Sequence, residues 1–427
     1  MPSASPETLD GRGACPSMTN NTPRISLRML WRPPRPSSEV VEDRRVTFLE
    51  LFYDLVYVVV IAEVGHYLAG HVDAAGISKA AFLFTLVWLA WLNGSMYHEW
   101  HGRNDLRTRV FTFAQMFAVG AMAVFVHSAF GEGAVGFALS FASHLLIVAY
   151  LWWRTGIHDA AHRSLSNHYA GAVLLAAAAF AASALVPVGL AVFLWGGGGV
   201  VLLVMPFAVF LGRTSDPGVA AELERSLRTT ASTVERFGLF TIIVLGEVIV
   251  GVVRGVAGSH ELGATVGATA ALGMFLAFGL WWLYFDFVSH RPPTPSFGKR
   301  YGWIYLHLST GFGIVAVGAA TLNIVEHASG GRVPAEARWL LAGAMALALL
   351  SIAALMRLIH IPKTARRLYR GAGRVTVASA AVVGALGFSG IGTIPLMAAI
   401  GAVILLPVFY GLLVWITVLG GREIPLE

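Results

Sequence analysis

Charge is what this sequence has least of. Asp, Glu, Lys and Arg together make up 13% of its 427 residues, whereas hydrophobic residues make up 56%. A soluble domain carries about a quarter of charged residues, so this chain has too few to cover a surface that faces water. Cysteine is nearly absent too. The single Cys15 excludes an intrachain disulfide and any cysteine-built metal site. No His-Glu-x-x-His string occurs, and no second acid–histidine cluster replaces it, so a zinc enzyme is not indicated. The net charge of +6 does not point to nucleic acid either. Its basic residues sit in short segments between apolar runs, not in a patch interleaved with aromatics. No cofactor is implied.

What the chain does have is long apolar runs. About 20 such residues cross a bilayer as a helix. Runs of that kind fall near 46–69, 77–98, 108–129, 133–153, 167–187, 189–212, 234–256, 262–287, 301–325, 335–358, 372–389 and 392–419. The expected fold class is therefore an all-α integral membrane protein of about twelve transmembrane helices, with the lipid bilayer as its first partner. Gly384, Gly387, Gly390 and Gly392 leave open whether the last two runs are separate helices or one broken helix. Residues 1–45 are rich in Pro, Ser and Arg without an apolar core, and read as a disordered cytoplasmic tail, with the first run as an uncleaved anchor.

The loops alternate in charge. The tail holds Arg24, Arg28, Arg32, Arg35, Arg44 and Arg45. Arg103, Arg107 and Arg109 follow the second run, Arg154 and Arg163 the fourth, and Arg213, Arg225 and Arg228 the sixth. Arg291, Lys299 and Arg300 follow the eighth, and six further cations from Arg357 to Arg374 the tenth; the intervening loops are almost bare. By the positive-inside rule both termini, including Arg422, are cytoplasmic.

A weak internal repeat divides the chain. Glu50-Leu-Phe52 opens the first run and Glu235-Arg-Phe237 the seventh, each followed by a second acid, Glu63 and Glu247. Trp88, Trp91 and Tyr97 correspond to Trp281, Trp282 and Tyr284, and Gln115 to His307. This predicts a first six-helix half over 46–212, a cytoplasmic linker over 213–233 and a second half over 234–427. Together they would make a 6+6 parallel repeat of a kind that transporters use.

Ionisable groups in hydrocarbon cost about 2.5–3.5 kcal/mol each on insertion scales and persist where they are paired or used. Glu50 and Asp54 share one helix face, and Glu63 and His66 share another, roughly opposite. That predicts a proton or cation path with two stations, although Glu50 also suits a helix start at the interface. Glu247 is twelve residues beyond Glu235, about 18 Å along a helix. Its neutralising partner must come from another helix, or it must carry a proton; Gly246 beside it would let another helix approach. Asp54, Glu63, His66 and Glu247 are the candidate relay. Glu50, Glu235 and Arg236 form a candidate cytoplasmic gate, with Arg103 or Asp105 of the segment Tyr97-His-Glu-Trp-His-Gly-Arg-Asn-Asp105 pairing to Glu50 or Glu235. That segment also reads as an ordinary solvated loop. Asn93 and Gln115 read as interhelical hydrogen-bonding groups, Asp286 as a helix-end cap, and His307 as a buried core histidine.

Two strings, Glu50-Leu-Phe-Tyr-Asp-Leu-Val-Tyr-Val58 and Glu235-Arg-Phe-Gly-Leu-Phe-Thr-Ile-Ile-Val-Leu-Gly-Glu247, resemble the signature helices of the bacterial low temperature requirement protein A family. Weaker agreement runs through Trp88, Asn93, Tyr97, Arg103, Asp105, Gln115 and Met116. The resemblance implies a histidine three residues before Glu235-Arg236-like pairs; here that position is Ser232. It implies a multi-pass protein of the bacterial cytoplasmic (inner) membrane and no established reaction. The residues themselves favour a proton- or cation-coupled secondary transporter of an unknown small solute or ion over an enzyme. The Gly-x-x-x-Asp-Arg-x-Gly-Arg loop of the major facilitators is absent. An intramembrane enzyme acting on a lipid-linked substrate and a structural or assembly protein of the envelope are the alternatives.

Overall fold

The computed structural model describes residues 31–36, 39, 44–211, 229–259, 262–330 and 333–420. Most of the expected tail and of the 213–233 linker, including Arg213, Arg225 and Arg228, lies outside the described residues, as does Arg422.

Within the described residues the apolar runs form twelve helices: α1 Phe48–Gly70, α2 Ala74–His101, α3 Leu106–Val126, α4 Ala134–His158, α5 Arg163–Ser183, α6 Val188–Leu211, α7 Ala231–Gly258, α8 Ala264–Phe287, α9 Phe297–Glu326, α10 Ala335–Leu358, α11 Arg366–Leu386 and α12 Thr393–Leu419. Ten are long and apolar enough to cross a membrane. The other two are α1, which carries Glu50, Asp54 and Glu63, and α11, which opens on Arg366, Arg367, Arg370 and Arg374. The glycine-rich stretch near the C-terminus is a break between two helices, α11 and α12.

Local chemistry sets the helix ends. Thr47 and Glu50 close a capping box at the start of α1, each side chain accepting from the other's backbone N–H. Asp73, Asp105, Thr230 and Ser296 cap α2, α3, α7 and α9 by accepting a backbone N–H three residues on. Gly420 follows α12 at φ +61°, the left-handed conformation that glycine adopts without a Cβ clash.

Neighbours follow the same order in each half. α1 packs on α2 and α3, then α3 on α4, α4 on α5, α5 on α6, and α6 returns to α2. α7 packs on α8 and α9, then α9 on α10, α10 on α11, α11 on α12, and α12 returns to α8. The halves meet where α1 touches α7 and α9, and α2 touches α9. Apolar side chains such as Phe117, Val124, Phe193 and Leu413 face outward, as they would toward lipid.

In hydrocarbon the driving force between helices is close packing, which small residues permit. α7 and α9 use it fully. A Cβ on Gly318 would lie 2.7 Å from the Glu247 carbonyl oxygen, and one on Gly251 would strike the Gly318 carbonyl. The close approach expected at Gly246 is absent: a Cβ there would meet open space. The glycines that admit a neighbour are Gly251 and Gly318, one turn along and on the facing helix.

A buried charge network and an isolated carboxylate

The capping box places Glu50 at the start of α1, and one turn later Asp54 points into the same interface. Both are buried. From α7, Arg236 reaches across to them. It is 1% exposed, and its Nη1 donates to the Ser95 carbonyl oxygen at 2.9 Å. The same nitrogen lies 3.4 Å from Glu50 Oε1, and its Nε lies 3.8 Å from Asp54 Oδ2. Trp91 Nε1 donates to Asp54 Oδ1 at 2.9 Å. Asp54 Oδ2 and Arg236 Nε and Nη2 are buried without a hydrogen-bond partner among the described residues.

The third acid is Glu99. The segment Tyr97–Asp105, which reads as a loop, is mostly helix: α2 continues to His101 and leaves Gly102 to Asp105 between helices. Glu99 is 3% exposed. Its Oε1 accepts from the hydroxyls of Thr230 at 2.7 Å and Ser232 at 2.5 Å. Ser232, where the resemblance implies a histidine, thus holds the Glu99 carboxylate. Glu99 Oε2 accepts from Arg44, and Arg44 also donates to Glu50. Arg44 comes from the segment before α1, where residues 44–47 are non-helical. Arg35 reinforces this end by donating to the backbone carbonyls of Glu99 and Trp100. Burial, with Arg44 beside it, pulls the Arg35 guanidinium below its usual pKa.

The gate residues divide. Glu50 and Arg236 are brought together. Glu235 is exposed and, among the described residues, accepts from the Val46 backbone N–H at 3.4 Å. Arg103 pairs with Glu39 of the tail at 2.6 Å, and Asp105 caps α3 through the Thr108 N–H at 2.8 Å. Neither pairs with Glu50 or Glu235 among the described residues. Asp105 is used at its own helix start, whereas Arg103 is drawn to the segment that precedes α1.

Glu247 is the second centre. It lies eleven residues beyond Arg236 on α7, about 16 Å along the axis. It is 5% exposed, and its Oε1 has no hydrogen-bond partner among the described residues. Nor does any cation there form an ion pair with it. A Cβ on Gly65 of α1 would lie 3.3 Å from Glu247 Oε2, so the carboxylate rests on bare α1 backbone. Glu63 is half-buried. His66 is exposed and stacks on His127 with ring centroids 5.3 Å apart; no ion pair joins it to Glu63 among the described residues.

Asp54 and Glu63 are nine residues apart, about 13 Å along α1. The acids therefore lie at two separate levels along the bundle and do not share one cavity. Aromatic and branched side chains fill the span between them. Trp91 packs on Phe240 at 4.2 Å, and Tyr57, Val60, Ile61, Val64 and Val244 are fully buried. The Tyr53 and Tyr57 hydroxyls bond to each other at 3.1 Å. Gly94 admits the Tyr53 hydroxyl and the buried Gln115 side chain, which a Cβ there would strike.

Gln115 Nε2 and Oε1 are buried without a hydrogen-bond partner among the described residues, and the other polar candidates are accounted for within their own helix or by a neighbouring ring. His307 Nε2 meets the Tyr284 hydroxyl at 2.9 Å and its Nδ1 the Trp303 carbonyl at 2.7 Å, the pattern of a satisfied core histidine. Asn93 donates to the Leu89 carbonyl at 2.8 Å. Asp286 accepts from Trp282 Nε1 at 2.7 Å and borders an aromatic groove of about 700 Å³ between α8, α11 and α12. It is therefore a groove-wall acid held by tryptophan, not a cap.

The sequence model of one family, described as Bacterial low temperature requirement A protein (LtrA), matches residues 45–420. No curated protein matches the chain.

Proposed function

The chain belongs to the bacterial low temperature requirement A protein family, and we propose that this multi-pass membrane protein is a proton- or cation-coupled secondary transporter of the bacterial inner membrane. The observation that carries this reading is Glu247. A carboxyl group shut inside a helix bundle with no cation against it is costly to keep. A proton or an incoming cation removes that cost. A carboxyl that is neutralised by what it carries has the property a coupling site needs.

The rest of the geometry supports the same reading. The Glu50–Asp54–Glu99–Arg236 network is the inner station and Glu247, with Glu63 beside it on α1, the outer one. Tyr57, Trp91 and Phe240 form the barrier between them in this closed state. Glu63 and His66 reach the outer surface. The matching order of neighbours in the two halves supports reading 46–212 and 234–427 as six-helix repeats joined by a linker. Repeats place the moving interface where α1 and α7 meet, which is where the acids lie. The loop arginines support cytoplasmic N- and C-termini. The test is proton uptake by proteoliposomes that enclose a pH-sensitive dye. Wild-type protein moves protons down an imposed gradient and Glu247→Gln does not. Equal flux in both, or none in either for any ion tried, would leave the acids as packing groups and favour a structural role in the envelope.

A further inference from the structure

The inner station contains a cation that does not belong to the helix bundle. Arg44 is contributed by the non-helical segment that precedes α1, yet its guanidinium spans two carboxylates on two helices, Glu50 of α1 and Glu99 of α2. Its Nη2 also approaches the His98 carbonyl oxygen at 3.3 Å. Both carboxylates are positioned without it. Thr230 and Ser232 of the α7 start hold Glu99, and the Thr47 backbone N–H at 2.9 Å and Arg236 at 3.4 Å hold Glu50. The acceptor geometry is thus preorganised by the helices, and Arg44 only fills it. The carboxylates are 8% and 2% exposed as side chains, whereas Arg44 is 12% exposed at the outer edge of the pair. Deeper in, Asp54 Oδ2 is buried with no hydrogen-bond partner among the described residues.

Counting the groups that touch gives three acids, Glu50, Asp54 and Glu99, against Arg44 and Arg236. Without Arg44, Glu99 would keep two hydroxyl donors among the described residues, and the three buried acids would have Arg236 as their ion-pair partner there, Arg35 being held at the Glu99 and Trp100 backbone carbonyls. Such a site demands a replacement cation. The planar fork of donors that fits two carboxylates at once is that of a guanidinium.

We propose that the Glu50 and Glu99 carboxylates are a binding site for a small organic cation bearing a guanidinium group, occupied in this closed state by the chain's own Arg44. Arg44 acts as a tethered competitor, and ligand entry displaces it together with the segment that carries it. This rests on reading the buried acids as an ion-handling site, and names the class of solute that the inner station accepts.

The test is equilibrium binding to the full chain in detergent, so it does not depend on transport. The probe is methylguanidinium chloride at millimolar concentration, with tetramethylammonium chloride as a cation that has no N–H donors. Methylguanidinium raises the melting temperature of Arg44→Ala by about 2 °C or more at saturation. The wild type responds less at the same concentration, because Arg44 must first be displaced, and tetramethylammonium moves neither. The doubly substituted Arg44→Ala, Glu99→Gln loses the response. No shift in folded Arg44→Ala, an equal shift with tetramethylammonium, or an equal shift in the double variant overturns the proposal. Should Arg44→Ala fold only when methylguanidinium is present during purification, the site is supported. Should it aggregate with and without the probe, and Arg44→Gln likewise, the proposal fails. Binding without proton flux would sink the transport reading and keep the site; flux without binding would do the reverse.

Discussion

Replacing Arg236 with methionine keeps most of its bulk at the centre of the interface between halves and removes the charge. Among the described residues Asp54 then loses its ion-pair partner, at 3.8 Å, and keeps the Trp91 donor. Glu50 still has Arg44. At an effective dielectric of about 20, a unit pair at that distance is worth about 4 kcal/mol. Removing one partner of a buried pair costs about 3–5 kcal/mol because the other is stranded. Since Arg236 and Asp54 are each 1% exposed, solvent does little to soften this. Arg236→Met should therefore lower unfolding free energy by about 4 kcal/mol, read by denaturant titration in mixed micelles. Adding Asp54→Asn removes the stranded charge, and the double variant should recover about 2 kcal/mol of the loss. An Arg236→Met cost under about 1 kcal/mol, the size of an exposed pair, would refute the reasoning. So would a double variant no better than the single one, since the stranded acid would then not be the source of the cost.

Four further substitutions separate packing from chemistry. Gly318→Ala forces a methyl against the Glu247 carbonyl and should destabilise by about 1–3 kcal/mol, whereas Gly246→Ala, with open space beside it, should stay within about 0.5 kcal/mol; the same titration reads both. Trp91→Phe leaves Asp54 Oδ1 without its donor and should cost about 1–3 kcal/mol, measured against an Asp54→Asn background in which the cost shrinks. Asp105→Ala removes the α3 cap and should cost about 1 kcal/mol, visible as faster amide exchange at Thr108.

The membrane architecture is legible in this sequence because its signal is long. A run of about 20 apolar residues has few competing explanations, and the helices fall within a few residues of the runs. The buried charge network is legible only in part, for two physical reasons. Gly102 and the dense polar string before it read as a loop, so Glu99 looked solvated. A helical reading of Trp88, Trp91, Ser95 and Glu99, spaced by three and four, would have put that acid on the buried face beside Asp54. Arg44 and Arg35 gave no such signal, because a non-helical segment has no periodicity to betray where it docks. Glu247 stood out because an acid amid branched apolar residues on a helix has no local escape. Its packing did not, since the close approaches lie not at Gly246 but at Gly251 and at Gly65 and Gly318 on other helices. The levels at which these acids lie are set by offsets along α1 and α7, and these are plain in the sequence. What fills the space between them depends on which helices touch, and no single-helix pattern contains that.

The most direct test is whether the Glu247 carboxyl exchanges a proton. Infrared difference spectra of the protein in liposomes, recorded as a proton gradient is imposed, display the C=O stretch of any carboxyl that gains or loses a proton. The wild type should show such a band and Glu247→Gln should lack it. A band that survives unchanged in Glu247→Gln, or its absence from the wild type, would contradict the account.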